Sequence, residues 1–465
     1  MPRQPRRPRQ PKQPDWASNL PQTVVDQVQH IIDAFDQIPD NQGGPIKIGV
    51  ARRHDRPDSI DYLFAEDWIL VLDDYLDRVL AVLEPPDRHE TVRNDPRLTH
   101  RVIPGVTRLS LSARFPTVER ALVAIEQQVG LGVATPDHVV TVAGGHGSPC
   151  PATEPEEVYF ETEPYPAACQ DGAGTGVLIY IDDTGLLKDA AKDHPWLDGV
   201  KAGDIDPLPP PGQPIPLYTG HGTFVAGVAR CMAPNAEVIV TNVLDVAGSQ
   251  LESNWIPRLE AALGRGVDIF HLSVAAHSRH DLPLITFRHW LQHLHEFSGA
   301  VCVVAAGNDG DRRPTWPGAC QGVVTVGALG KDWRGRATFS NFGPWVDVYA
   351  PGRDLINAYA TGTYTCQWYP YAGTHRVFYG MAKWSGTSFS TPIVTGLIAA
   401  RMSRTGENGR QAAAALLAEA QAQAVPGVGP ILLPCCGGTQ PHACHCQGTC
   451  PRPCCQGDGP RPCCR

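Results

Sequence analysis

The chain has 465 residues, 42% hydrophobic and 19% charged, which is too long for one average domain and apolar enough for a sizeable packed core. Its formal net charge of -9 argues against non-specific nucleic-acid binding by the whole protein, because phosphate contacts need a basic surface. No stretch reaches the roughly 18 apolar residues of a membrane span, and neither a secretory signal nor a lipidation motif is present. The expected compartment is therefore the cytoplasm, with secretion left to a leaderless route or a misassigned start.

Residues 1–22 read as a disordered tail in which Arg3, Arg6, Arg7, Arg9 and Lys12 stand among prolines. A phosphate or membrane-surface contact is the alternative reading. Residues 23–142 read as a small α/β domain. Val24, Val25, Val28, Ile31, Ile32 and Phe35 recur at helical spacing. Strands are predicted at 46–50, 68–71, 106–111 and 138–142. A helix through Leu76, Val79, Leu80 and Leu83 ends before Pro85-Pro86, and Thr117 is placed to cap a second one through Leu122, Ile125 and Val129. This alternation predicts a compact sheet with helices on one face. Residues 143–172, rich in Gly, Pro, Glu and Cys, read as a linker.

From residue 173 to 425 the texture changes. The runs VLIYI (177–181), EVIVTNVL (237–244), VDIFHLSV (267–274), AVCVVAAG (300–307) and GVVTVGAL (322–329) are continuous and rich in Val and Ile. Such runs fit parallel strands buried on both faces. With amphipathic stretches between them, the fold class is α/β, a doubly wound, mostly parallel sheet, whose ligands bind at the carboxyl ends of the strands. Residues 426–465 are Gly/Pro/Cys-rich and read as irregular.

Four motifs lie at strand ends or helix starts. Ser388, in SGTSFSTP, precedes a helix-compatible run, so its hydroxyl sits where unpaired N–H groups and the helix dipole favour an anion. His221, in TGHGTFVAGVA, opens another helix, and an imidazole is the natural general base near neutral pH. Asp183 ends the strand VLIYID and can orient that imidazole. Asp182 competes for the role; alternation sends one of the two away, and Thr184-Gly185 directly after Asp183 favours Asp183. Asn308, in VVAAGNDG, is a turn residue or an amide donor to an oxyanion.

Taken together these motifs resemble the subtilisin-like serine peptidases, the S8 family or subtilases, over about Gly174 to Met402. The resemblance implies a subtilisin-like fold and an endopeptidase that hydrolyses peptide bonds through an acyl-enzyme, with Asp183, His221 and Ser388 as the triad and Asn308 completing the oxyanion hole. It implies that Ser273, Val274, Ala275, Ala305 and Gly307 bind substrate. The family often has Gly-Gly where Ala275 and Ala276 stand, so extra methyls are expected to narrow the first specificity pocket or to perturb pairing with the peptide. No cofactor is implied for chemistry, and structural calcium, frequent in the family, finds no dense carboxylate loop here. The implied partners are peptide or protein substrates. Alternatives are a non-catalytic or autoinhibited peptide-binding homologue and a peptide cyclase-type acyl transferase.

Residues 23–142 are either a propeptide that blocks the cleft or a fused domain that recruits a regulatory partner. Nine of the 15 cysteines crowd between Cys435 and Cys464. Cys444, His445 and Cys446 are weak metal-ligand candidates, because the spacing does not repeat as CxxC pairs. Cys231 and Cys302, in apolar runs, read as buried small hydrophobes.

Overall fold

A computed structural model describes residues 15–434, apart from 54, 57, 143–151, 159–162, 168–171, 245–246, 298 and 369. The basic tail before residue 15, Cys150, Cys169 and the whole Cys-rich tail with Cys444, His445 and Cys446 lie outside these residues. No helix among the described residues is long and apolar enough to cross a membrane.

The N-terminal part holds α1 (Gln22–Phe35), β1 (Ile48–Arg52), β2 (Ile60–Leu72), α2 (Leu76–Leu83), β3 (Thr99–Ile103), β4 (Val106–Ser110), α3 (Val118–Gln128) and β5 (Ala134–Val142). The strands pair antiparallel in the order β5-β2-β4-β3, with β1 on the remaining stretch of β2. Thr117 caps α3 by accepting from Arg120 N–H. The expectation of helices on one face is corrected. Leu63, Ala65 and Trp68 of β2 pack with α1, while Phe64, Ile69 and Val71 face α2 and α3. A register shift between Phe64 and Ile69 changes which parity points inward.

The larger part runs through β6 (Leu178–Asp183), β7 (Val200–Ala202), α4 (His221–Met232), β8 (Glu237–Asn242), β9 (Ser249–Leu251), α5 (Glu252–Ala262), β10 (Ile269–Leu272), β11 (Val274–Ala275) and α6 (Ile285–Glu296). It continues through β12 (Val301–Ala305), β13 (Val324–Leu329), β14 (Val348–Pro351), the hairpin β15 (Leu355–Thr365) and β16 (His375–Trp384), α7 (Thr387–Thr405) and α8 (Gly409–Ala422). The central sheet has the order β14-β13-β12-β10-β6-β8-β7, every pair parallel. Alternate residues feed two cores. Ile179, Ile181 and Val303 join α4 and α7 on one face; Tyr180, Cys302 and Val304 join α5 and α6 on the other. That two-sided burial is why the strands read as unbroken apolar runs. Cys231 and Cys302 are both buried, and Cys231 Sγ accepts from Asn357 Nδ2 at 3.7 Å.

Strand order reverses around β6: the chain leaves it for β7 and β8 on one side, then crosses to β10 on the other. Such a switch point opens a crevice at the carboxyl ends of the strands. β5 enters it. Its end pairs antiparallel with β9, Thr141 opposite Ser249, and with β11, Val142 opposite Val274 and Thr141 opposite Ala275. Val140 and Val142 are fully buried there. Beyond the undescribed stretch, residues 152–156 run along the hairpin. Ala152 N–H donates to Ser385 O at 3.2 Å and Glu156 N–H to Lys383 O at 2.8 Å, and the Glu154 carboxylate accepts from Tyr364 Oη at 2.8 Å.

Candidate active site

Asp183 closes β6 with its carboxylate buried, and Oδ1 lies 2.7 Å from His221 Nδ1. The same oxygen accepts from Thr184 N–H at 2.7 Å. Asp182 faces the opposite way, as strand alternation requires. It accepts from Thr241 Oγ1 at 2.5 Å and from Trp255 Nε1 at 2.9 Å, and burial pushes its carboxyl up to about 6. Asp183 thus touches the imidazole and Asp182 does not.

His221 is the first residue of α4. A Cβ on Gly222 would meet Gly185 O at 2.5 Å and Asp183 Oδ1 at 3.2 Å, so glycine is what lets the helix start approach the carboxylate. The imidazole sits 5.2 Å from the Phe389 ring and edge-on to Trp384 at 5.6 Å. These rings fix its plane and place it beside the residue that follows Ser388.

Ser388 lies in the first turn of α7, fully buried. Backbone N–H groups there have no intrahelical acceptor. Asn308 stands just past β12, and its Oδ1 accepts from Thr387 N–H at 2.8 Å and Thr387 Oγ1 at 3.0 Å. These contacts determine which end of the amide accepts and turn Nδ2 the other way. Gly307 N–H donates to Thr387 Oγ1 at 3.1 Å. Gly307 has φ +96°, and a Cβ on it would meet Asn341 Nδ2 at 2.5 Å. Ala305 is the buried last residue of β12. Among the described residues, Ser388 Oγ, His221 Nε2 and Asp183 Oδ2 have no hydrogen-bond partner. A buried polar atom without a partner is costly and needs an explanation, of which a reacting role is one.

Ser273 leads into β11, and its Oγ donates to Ser388 O at 3.1 Å. Val274 and Ala275 form the strand that pairs with β5. The ladder with β5 forms with alanine at position 275, because side chains of a strand project away from its hydrogen-bonding edge. Ala276 pairs with Trp316 instead, at 2.7 and 2.8 Å.

Sequence reasoning missed several supporting residues. Asn341, within ATFSNFG, accepts from Asp309 N–H at 2.8 Å and donates to Ala306 O at 3.0 Å, holding the Asn308 turn. Asp206 accepts from Gly220 N–H at 2.7 Å and Thr184 Oγ1 at 3.1 Å, tying together the neighbours of His221 and Asp183. Burial pushes its carboxyl up to about 7. Asp206 lies in no periodic pattern, so only its location identifies it. Among the described residues no three His, Cys, Asp or Glu side chains are grouped to hold a metal ion.

The model of the subtilase family matches residues 174–429, more than half of the chain. The chain belongs to the subtilase family. This subtilase is 31% identical over 244 residues to the thermophilic serine proteinase of Bacillus sp. (strain AK1), covering 50% of this chain and 54% of that one. It is 29% identical over 283 residues to thermitase of Thermoactinomyces vulgaris, 56% and 89% of the two chains. It is 32% identical over 260 residues to an intracellular serine protease of Paenibacillus polymyxa, 50% and 69%. The chain thus spans about half the length of the first of these relatives. Among solved structures, fervidolysin from Fervidobacterium pennivorans matches with a TM-score of 0.51 and 19% identity over 80% of this chain and 60% of that one. At that identity the likeness is one of fold.

Proposed function

We propose that this subtilase is a serine endopeptidase with Asp183, His221 and Ser388 as its triad, and that residues 23–142 hold it inhibited by lying in its own substrate cleft. The observation that carries the catalytic part is the buried 2.7 Å contact between Asp183 and His221, with Ser388 opening the neighbouring helix.

His221 Nε2 takes the Ser388 proton as Oγ attacks the peptide carbonyl, and Asp183 stabilises the imidazolium and holds its tautomer. The tetrahedral oxyanion is met by the Asn308 amide and the Ser388 N–H. His221 then returns the proton to the leaving amine, and water releases the acyl-enzyme. Each role needs only this chain's own groups.

The inhibitory reading is favoured over recruitment by the pairing of β5. A strand clasped between β9 and β11 occupies the place of an extended substrate, whose backbone would be recognised by the same edges. The docking is reinforced by charge. Asp137 pairs with Arg108 at 2.7 Å and caps α5 by accepting from Ser253 N–H at 3.0 Å and Ser253 Oγ at 2.7 Å. Arg279 bonds Glu119 at 2.9 Å and also Glu126, and Arg313 reaches Asp61 at 2.5 Å.

The test is mass analysis of the purified full-length chain beside Ser388→Ala. Cleavage between residues 143 and 172, absent in Ser388→Ala, is the expected result. An intact chain that hydrolyses added peptides at full rate would overturn the inhibitory part.

A further inference from the structure

We infer that His271, a buried histidine outside the triad, is a positioning residue that holds the nucleophile helix through Ser273; this rests on the catalytic reading of Ser388 given above. The starting point is a gap in α7. In an α-helix the carbonyl of Ser388 would accept from the N–H of residue 392, but residue 392 is proline and has none. The Ser388 carbonyl is buried, so it needs another donor. Ser273 Oγ supplies it at 3.1 Å.

A serine hydroxyl has one proton. Since Ser273 spends it on Ser388 O, the 3.0 Å contact between Ser273 Oγ and His271 Nε2 must carry the imidazole's proton. His271 is then the Nε2–H tautomer, and Nδ1 accepts from Thr395 Oγ1 at 2.9 Å. All four groups are fully buried. The result is a directed chain, Thr395 to His271 to Ser273 to the Ser388 carbonyl. It begins and ends on α7, seven residues apart and on one face, and passes through the end of β10. It pins two turns of α7 to the strand that leads into β11. Burial pulls the His271 pKa down to about 3, so the relay keeps one protonation state throughout the working range of the triad.

Nothing in the acyl-transfer steps uses His271 directly. Its effect is geometric: it orients the Ser273 hydroxyl, which seats the peptide unit whose own side chain attacks. Misplacing a nucleophile by about 1 Å can cost on the order of 100-fold. The backbone edge of β11 that pairs with substrate is untouched, so ground-state binding should be spared.

The test compares full-length wild type, His271→Leu/Thr395→Val and His271→Gln. The double variant removes the imidazole and its donor together, so that Thr395 is not left unpaired and folding is retained; circular dichroism and Tm verify this. For peptide hydrolysis we expect kcat to fall about 10- to 100-fold with KM within about twofold. His271→Gln, whose Nε2 can donate where the imidazole does, should recover most of it. A folded double variant with kcat within twofold of wild type, or one altered only in KM, would overturn the assignment. If neither wild type nor a folded chain whose β5 is loosened by Val142→Asp hydrolyses peptide or reacts at Ser388, the catalytic reading has failed, and imidazole 15N shifts in the wild-type chain then judge the relay alone. An Nε2–H tautomer unchanged down to about pH 4 supports it; an Nδ1–H tautomer, or titration near pH 6, contradicts it.

Discussion

The site depends on a few side chains whose chemistry differs because their surroundings differ. Asp182 and Asp183 are neighbours on one strand, yet one bonds Thr241 and Trp255 and the other His221. Replacing Asp183 by Asn should leave folding intact and lower kcat on the order of 10⁴-fold, a magnitude established for related triads rather than derived from this geometry. Asn308→Ala should cost about 10²–10³ in kcat with little change in KM, again a size known from relatives. Steady-state kinetics of the two variants checks both. Asp206 gives a pH signature. Burial pushes its folded-state carboxyl up to about 7, above the roughly 3.9 of an unfolded aspartate. The folded state therefore holds the proton more tightly, and stability from this group is full below about pH 4 and is lost as pH rises to about 7. The Tm of wild type, measured against that of Asp206→Asn across this window, should decline as pH rises; a flat difference would contradict the buried, protonated carboxyl.

Elements explain what the sequence reveals and what it hides. The strand runs from 177 to 329 are legible because burial on both faces leaves no polar interruption. Helices α2 and α3 are legible from Pro85-Pro86 and the Thr117 cap. The four motifs are legible because each sits at a strand end or helix start, where the residue types are chemically constrained. Other features were not. β2 carries Asp61, Glu66 and Asp67, and the last two break the apolar alternation where the strand is exposed and its register shifts. His271 lies inside an apolar run and reads as strand filler. Above all, the pairing of β5 with β9 and β11 joins segments more than a hundred residues apart, and no local pattern encodes such a register. That pairing predicts a variant. Val142 is fully buried in the cleft, where apolar side chains contribute about 2 kcal/mol each. Val142→Asp would place a charge there and should loosen β5. Hydrogen exchange should show faster exchange in 139–142, 249–251 and 274–275, with the core strands β6 and β12 unchanged.

At the scale of the whole molecule, the two parts are held together by groups of both signs as well as by the shared ladder. Asp137 caps α5, and Glu252 in turn caps α6 by accepting from Thr286 N–H at 2.7 Å. His138 joins the same cluster, with Nδ1 3.4 Å from Glu252 and Nε2 accepting from Arg279 N–H at 3.2 Å. On the proposed inhibitory reading, a domain docked this way covers the cleft until its strand is cut or displaced, so Ser388 should react faster when β5 is loosened. The most direct measurement is the rate of labelling by a fluorophosphonate probe, in full-length wild type, Ser388→Ala and Val142→Asp. We expect labelling at Ser388 in wild type, none in Ser388→Ala, and faster labelling in Val142→Asp. A folded Val142→Asp chain that remains unlabelled would contradict an activated serine at 388, and equal rates in wild type and Val142→Asp would contradict a cleft covered by β5.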